Sequence, residues 1–140
     1  KPFQSIKIGK GKIIKKGKKI AFLNLGTRLK QVLESSKMIK DQFRIDSTVI
    51  DMRFAKPLDN LLLKSLLKNH DIFITIEENA IGGFSSQVND YLLNSIKNNP
   101  KILNFFMKDE FIDQSDIGDQ YVQSGISPEL ITKRVSKLLK

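Results

Sequence analysis

Apolar residues along this 140-residue chain follow two alternating rhythms. Short, nearly unbroken runs occur at Ile20–Leu25 ("IAFLNL"), in "STVIDMRF", in "DIFITIEE" and in "KILNFFMK". Runs of that kind suit strands covered on both faces, because every successive side chain then needs apolar cover. Between the runs, apolar positions recur every three or four residues, the period of an amphipathic helix. They are Leu29, Val32, Leu33, Ile39 and Phe43, then Leu58, Leu61, Leu62, Leu66 and Leu67. A third set is Phe84, Val88, Tyr91, Leu92 and Ile96, and a last one Leu130, Ile131, Val135, Leu138 and Leu139. A weaker strand lies within "KGKIIKKGKK", with Gly17 as its turn. Strands alternating with helices predict an α/β fold of three layers, α/β/α, around a mostly parallel sheet.

The punctuation agrees with that order. Thr27 is placed to cap the first long helix. Pro57 falls where a helix accepts proline in its first turn, with Asp59 near the positive end of the dipole. Ser127-Pro128-Glu129 opens the last helix.

Composition narrows the class. At 40% apolar and 28% charged the chain reads as one globular domain over residues 1–140, with residues 1–10 as a basic arm. No apolar run reaches the roughly eighteen residues of a membrane span, and no apolar segment follows the basic start as in a signal peptide. The missing initiator Met points to a piece of a longer product. With no Cys, thiolate metal sites and cysteine nucleophiles are excluded.

The net charge of +9 invites a nucleic-acid reading. Yet 20 of the 24 basic residues are Lys, and eight of these fall in Lys1–Lys19 among glycines and Ile. Base readout favours Arg, and single strands favour stacking aromatics, so no nucleic-acid partner is expected. Lysines beside an edge strand also discourage stray pairing.

Parallel sheets bind ligands at the carboxyl ends of their strands. Four segments fall there: Gly26-Thr27, Arg53 with Lys56, Glu77-Glu78 through Gly82-Gly83, and Lys108-Asp109-Glu110. Neither a dinucleotide fingerprint nor a P-loop is present, so Gly26 reads as a tight turn. The amides after Gly82-Gly83 suit an anion, but the two acids upstream oppose phosphate and no Lys or Arg lies in that loop. Ser85 or Ser86 is the expected cap there. Glu77 and Glu78 are adjacent on a strand, point to opposite faces and cannot converge on one substrate atom. One of them is expected to pair with Arg53 across the strand bearing Gly26, whose missing side chain leaves room. His70, the sole histidine, is expected to meet the last carbonyls of the helix before it.

Five blocks carry a resemblance: "IKIGKGKIIKKGKKIAFLNLGT", "VIDMRFAKPLD", "HDIFITIEENAIGGFSSQVNDYL", "MKDEFIDQSD" and "SGISPELI". Together, from about Ile6 to Val135, they resemble the C-terminal domains of the 1-deoxy-D-xylulose-5-phosphate synthase family, within the wider transketolase C-terminal family. The R-F-x-K-P-L-D and E-E-x-x-x-G-G-F blocks are shared with transketolases and 2-oxo acid dehydrogenase β subunits, which remain alternatives. So does a stand-alone anion-binding α/β module. "DEFIDQ" and "SGIS" favour the synthase branch.

The resemblance implies a five-stranded sheet with one antiparallel strand, which suits Lys12–Lys15. It implies a parent transferase that uses thiamine diphosphate and Mg to condense pyruvate with glyceraldehyde 3-phosphate, losing carbon dioxide. That reaction feeds isoprenoid and thiamine biosynthesis, in a homodimer located in bacterial cytoplasm or in plastids. The cofactor-binding and metal-binding motifs of the family belong to its first two domains, so no catalytic, cofactor-binding or metal-ligating residue is expected here. The partners expected are the other two domains of the same chain. The residues matching family motifs or framing them are Gly26, Thr27, Arg53, Lys56, Pro57, Asp59, Glu77, Glu78, Gly82, Gly83 and Phe84. Ser85 departs from the pattern, which has Gly after G-G-F.

Overall fold

A computed structural model describes residues 5–94, 100–108, 110–111 and 114–139. Its elements run β1 (Lys12–Lys15), β2 (Lys19–Asn24), α1 (Leu29–Phe43), β3 (Thr48–Asp51), α2 (Asn60–Leu66) and β4 (His70–Ile76). They continue with α3 (Phe84–Asn94), β5 (Lys101–Phe105), α4 (Ile117–Gln123) and α5 (Pro128–Leu139). Ile96 and three residues of the "DEFIDQ" block, Asp109, Ile112 and Asp113, lie outside the described residues.

The five strands form one sheet in the order β1-β3-β2-β4-β5. β1 pairs antiparallel with β3, and every other pairing is parallel. The mixed five-stranded sheet expected from the family resemblance is therefore present. β2 and β4 occupy the middle, which explains their unbroken apolar runs. Ile20 and Phe22 of β2, with Ile72, Ile74 and Ile76 of β4, face one apolar layer built with Val32, Ile39, Ile131 and Val135 of α1 and α5. Ala21, Leu23 and Phe73 face the opposite layer, with Leu63, Leu66, Phe84, Val88 and Leu92 of α2 and α3. Alternate residues of one strand thus feed two cores, giving the three layers.

Helix α4 did not register in the apolar periodicity. Its N-cap is Asp116, whose side chain accepts from Gly118 N, and none of its residues is buried. With no apolar stripe to read, only the cap marked it. Helix α2 is shorter than its leucine pattern, starting at Asn60 rather than Leu58. Pro57 therefore lies before the helix, not in its first turn, and its peptide bond with Lys56 is cis. Asp59 is the N-cap itself, accepting from Leu62 N.

Candidate functional site: the carboxyl end of the sheet

The chain leaves β2 into α1 on one face and leaves β4 into α3 on the other. Neighbouring strands whose exits diverge leave a crevice between them, the usual ligand position in open α/β sheets. Thr27 and Arg28 form one wall here and Glu77-Glu78 the other.

The crevice is bridged by the protein's own groups. Glu78 Oε1 accepts from Thr27 Oγ1 at 2.8 Å and from the Tyr121 hydroxyl at 2.6 Å. It also meets Arg28 Nε at 2.9 Å. The guanidinium donates to Thr27 Oγ1 through Nη2 at 2.9 Å and stacks on Tyr121, its Cζ 3.5 Å from the ring centroid. Burial would push the Glu78 carboxyl up, but the Tyr121 and Thr27 hydroxyls and the Arg28 charge outweigh it and hold it below its ordinary range. The same bond to Glu78, aided by burial, raises the Tyr121 phenol. Arg28 Nη1 has no partner among the described residues.

Two expectations change at this point. Arg53, whose side chain was to pair with a glutamate, instead approaches Asp51 Oδ2 at 3.8 Å, and its own amide donates to Asp51 Oδ1. Arg53 has a left-handed backbone at φ 60, which turns it back toward the strand it follows. Thr27 is not the cap of α1: Arg28 holds that position, without a side-chain cap, because the Thr27 hydroxyl is committed to Glu78. Arg28 and Tyr121 were not singled out in the sequence, and no local motif marks either. Tyr121 lies 43 residues from its partner.

β4 ends at Ile76, so Glu77 and Glu78 follow the strand rather than lying on it as expected, yet their side chains do part, and Glu77 turns to the α3 side. It is fully buried, and its two oxygens accept from Phe84 N and Ser85 N, each at 2.7 Å. These are amides of the first turn of α3. The cap is therefore a carboxylate from the residue that follows β4, not the hydroxyl of Ser85 or Ser86. The glycine pair follows from this. Gly82 adopts φ +100, a left-handed turn that glycine takes without strain. A Cβ on Gly83 would collide with Glu77 Oε2. The helix N-terminus that resembles a phosphate cradle already holds the anion it was built for.

The remaining motif positions clamp the start of the chain. Asp59 Oδ1 meets Lys10 Nζ at 3.1 Å and Oδ2 accepts from Gly11 N at 3.2 Å. Burial opposes ionisation of Asp59, but Lys10 and the amides of Leu62 and Gly11 prevail and lower its pKa. A Cβ on Gly9 would come within 2.7 Å of Pro57 Cγ, and one on Gly11 within 2.9 Å of Leu62 Cδ2. "IGKGK" and "KPLD" are thus two halves of one contact. Lys56 is exposed beside it, and Phe84 is buried in the core of the α2 and α3 face. Gly26, at φ +88, meets nothing where a Cβ would stand, so it serves the turn rather than making room for an ion pair. His70 behaves as expected: Nδ1 donates to Leu66 O at 2.7 Å, and Nε2 meets Thr48 Oγ1 at 2.7 Å.

A three-layer mixed sheet with these clamps defines a class, and comparison with known proteins names it. The sequence profile of the transketolase C-terminal domain matches residues 9–131, and the chain belongs to that family. Within it, the chain is 36% identical over 140 residues to 1-deoxy-D-xylulose-5-phosphate synthase of Vibrio parahaemolyticus, covering 99% of this chain and 21% of the relative. The synthase of Glaesserella parasuis is 39% identical over 135 residues, covering 96% and 21%. A chloroplastic synthase of Cannabis sativa is 35% identical over 136 residues, covering 96% and 19%. The chain thus spans about a fifth of the length of these relatives. Among solved structures, a split-gene transketolase described as an inactive beta4 tetramer superposes with a TM-score of 0.85. It is 26% identical, over 94% of this chain and 43% of that one. A mutant transketolase of Pichia stipitis gives 0.66 at 16% identity, covering 91% and 17%, a likeness of fold alone.

Proposed function

We propose that this chain is the C-terminal domain of a 1-deoxy-D-xylulose-5-phosphate synthase, one domain over residues 1–140, that supports the enzyme's assembly without performing its chemistry. The parent would join pyruvate and glyceraldehyde 3-phosphate with loss of carbon dioxide, as a homodimer in bacterial cytoplasm or in a plastid. The observation that carries the reading is where the family's motif residues are spent. Glu77 caps α3, Glu78 bridges β2, β4 and α4, and Asp59 fastens the start of the chain. Each such group is committed to a partner within the fold, which is the behaviour of a packing module.

The residues described do not fit thiamine diphosphate or its metal. Glu77 fills the helix N-terminus that would hold a diphosphate, and no three His, Cys, Asp or Glu residues converge on a cation position among the described residues. No step of the reaction is routed through this chain. No described helix is long and apolar enough to cross a membrane.

The test mixes the chain with thiamine diphosphate, Mg, pyruvate and glyceraldehyde 3-phosphate and follows carbon dioxide release. No turnover is expected from the chain alone, whereas the intact synthase turns over under the same conditions. Turnover that copurifies with this chain would overturn the reading.

A further inference from the structure

At the opposite, amino-terminal end of the sheet, the β1–β2 turn and the α1–β3 connection leave an open cleft of about 540 Å³. Its walls carry Lys16, Lys18, Lys19 and Arg44, with Asp46 as the one acid. Asp46 is already neutralised from outside the cleft wall, by Lys40 at 2.9 Å and Lys15 at 3.5 Å. The four cations of the cleft make no side-chain hydrogen bond or ion pair among the described residues. We propose that this cleft binds a compact polyanion of the polyphosphate class, carrying three or more negative charges, through those four cations.

The backbone shows that the cleft is built rather than incidental. Gly17 N donates to Thr48 Oγ1 at 2.9 Å, Lys18 N to Asp46 O at 2.7 Å and Lys19 N to Asn69 O at 2.8 Å. A Cβ on Gly17 would collide with the Asp46 carbonyl, so the two walls are drawn together at that glycine. Lys19 at φ 67 and Arg44 at φ 59 are left-handed, and the third such non-glycine residue among those described is Arg53. Glycine or asparagine would occupy these positions with less strain. The left-handed place of Arg44 is that of the C-cap of α1, its amide donating to Lys40 O at 2.9 Å. That of Lys19 accompanies the register shift where β2 joins β4. The backbone is thus explained by the fold, and only the side-chain charges are left without partners among the described residues. Protecting the edge strand accounts for lysines on β1 but not for Lys19, which begins the central strand β2.

The ligand class follows from what lines the cleft. The amides of Gly17, Lys18 and Lys19 are spent, so recognition falls to side-chain charge, and lysine serves phosphate as a point charge. Among the described residues no aromatic ring lines the cleft to stack a base. Affinity should therefore rise with ligand charge and fall with salt.

Calorimetry on the 140-residue chain with inorganic tripolyphosphate at low ionic strength tests this, with a cooperative thermal melt as the folding check. Saturable binding is expected, roughly tenfold or more tighter than orthophosphate and weakened by salt. Arg44→Gly should weaken binding about threefold or more while leaving the melting midpoint unchanged or higher, because the strain is relieved. Lys18→Gln combined with Arg44→Gly should lose about tenfold, and Lys64→Gln, on α2, nothing. Adenosine triphosphate should bind no tighter than tripolyphosphate. Absence of saturable binding overturns the proposal, as does equal affinity in the Arg44→Gly and Lys64→Gln variants. Tighter binding of adenosine triphosphate or of a short single-stranded DNA would also overturn it, in favour of base recognition.

Discussion

Gly83 leaves empty the space that Glu77 Oε2 needs in order to reach the amides of Phe84 and Ser85. Replacing Gly83 by Ala forces the carboxylate away and strips two hydrogen bonds from a buried charge. That should cost about 1–3 kcal/mol, the range for losing a cap or a bond to a charged group. Glu77→Ala should cost a similar amount, but the Gly83→Ala, Glu77→Ala pair should cost less than the sum, because both remove the same cap. Urea unfolding midpoints of the three variants give the coupling; strict additivity would count against a shared cap. In the intact synthase, Gly83→Ala should lower yield and midpoint but not kcat per folded molecule. A fall in kcat would instead assign this loop to the chemistry.

Helix α4 shows the same logic for an element. It buries no residue fully, so its attachment depends on Tyr121, which bonds Glu78 and covers Arg28. The bond is to a charged group, but the Glu78 side chain is 34% exposed. Tyr121→Phe should therefore cost only about 1 kcal/mol, near the low end for such bonds. Amide exchange over residues 117–123 should quicken by about fivefold while β2 and β4 stay protected. Uniform quickening across the sheet would mean that Tyr121 holds the whole fold rather than α4. The raised Tyr121 pKa adds an alkaline signature. In the unfolded chain the phenol titrates near its ordinary value of about 10. Its contribution is thus complete below that pH and is lost as pH rises through the higher native value.

For the molecule as a whole, the two clamps make stability acid-sensitive. Asp59 and Glu78 both titrate below their ordinary ranges in the fold. In the unfolded chain they return to values of about 4, so their stabilisation is complete above that pH and disappears as pH falls through the depressed native values. The thermal midpoint should be flat between about pH 7 and about pH 5 and drop below about pH 4. Asp59→Asn keeps a good N-cap but no charge, and its profile should fall less steeply in acid. Circular-dichroism melts across that range decide it. An Asp59→Asn profile parallel to the parent's would remove Asp59 from the account.

The apolar rhythm by itself determined the layers. A strand covered on both faces leaves an unbroken run, and a helix covered on one face leaves a period, so both are legible without partners. The strand expected over Ile20–Leu25 stands at Lys19–Asn24, the helix expected from Arg28 to Phe43 at Leu29–Phe43, and α5 opens at Ser127–Pro128, each within one residue of where the pattern placed it. Glu77 and Glu78 diverge as expected, but in the loop after β4 rather than on the strand whose alternation was to separate them. The direction of β1 came from family resemblance rather than from periodicity. Tertiary structure alone decided the partners: Arg28 rather than Arg53 for Glu78, Glu77 rather than a serine at the start of α3, and Lys10 for Asp59. Those pairings depend on loops that converge from positions up to 51 residues apart, as Thr27 and Glu78 do. Local sequence records what each residue must be shielded from or exposed to, but not which distant loop will meet it. The G-G-F signature is the clearest case, since its glycines are fitted to a carboxylate that only the folded chain brings there.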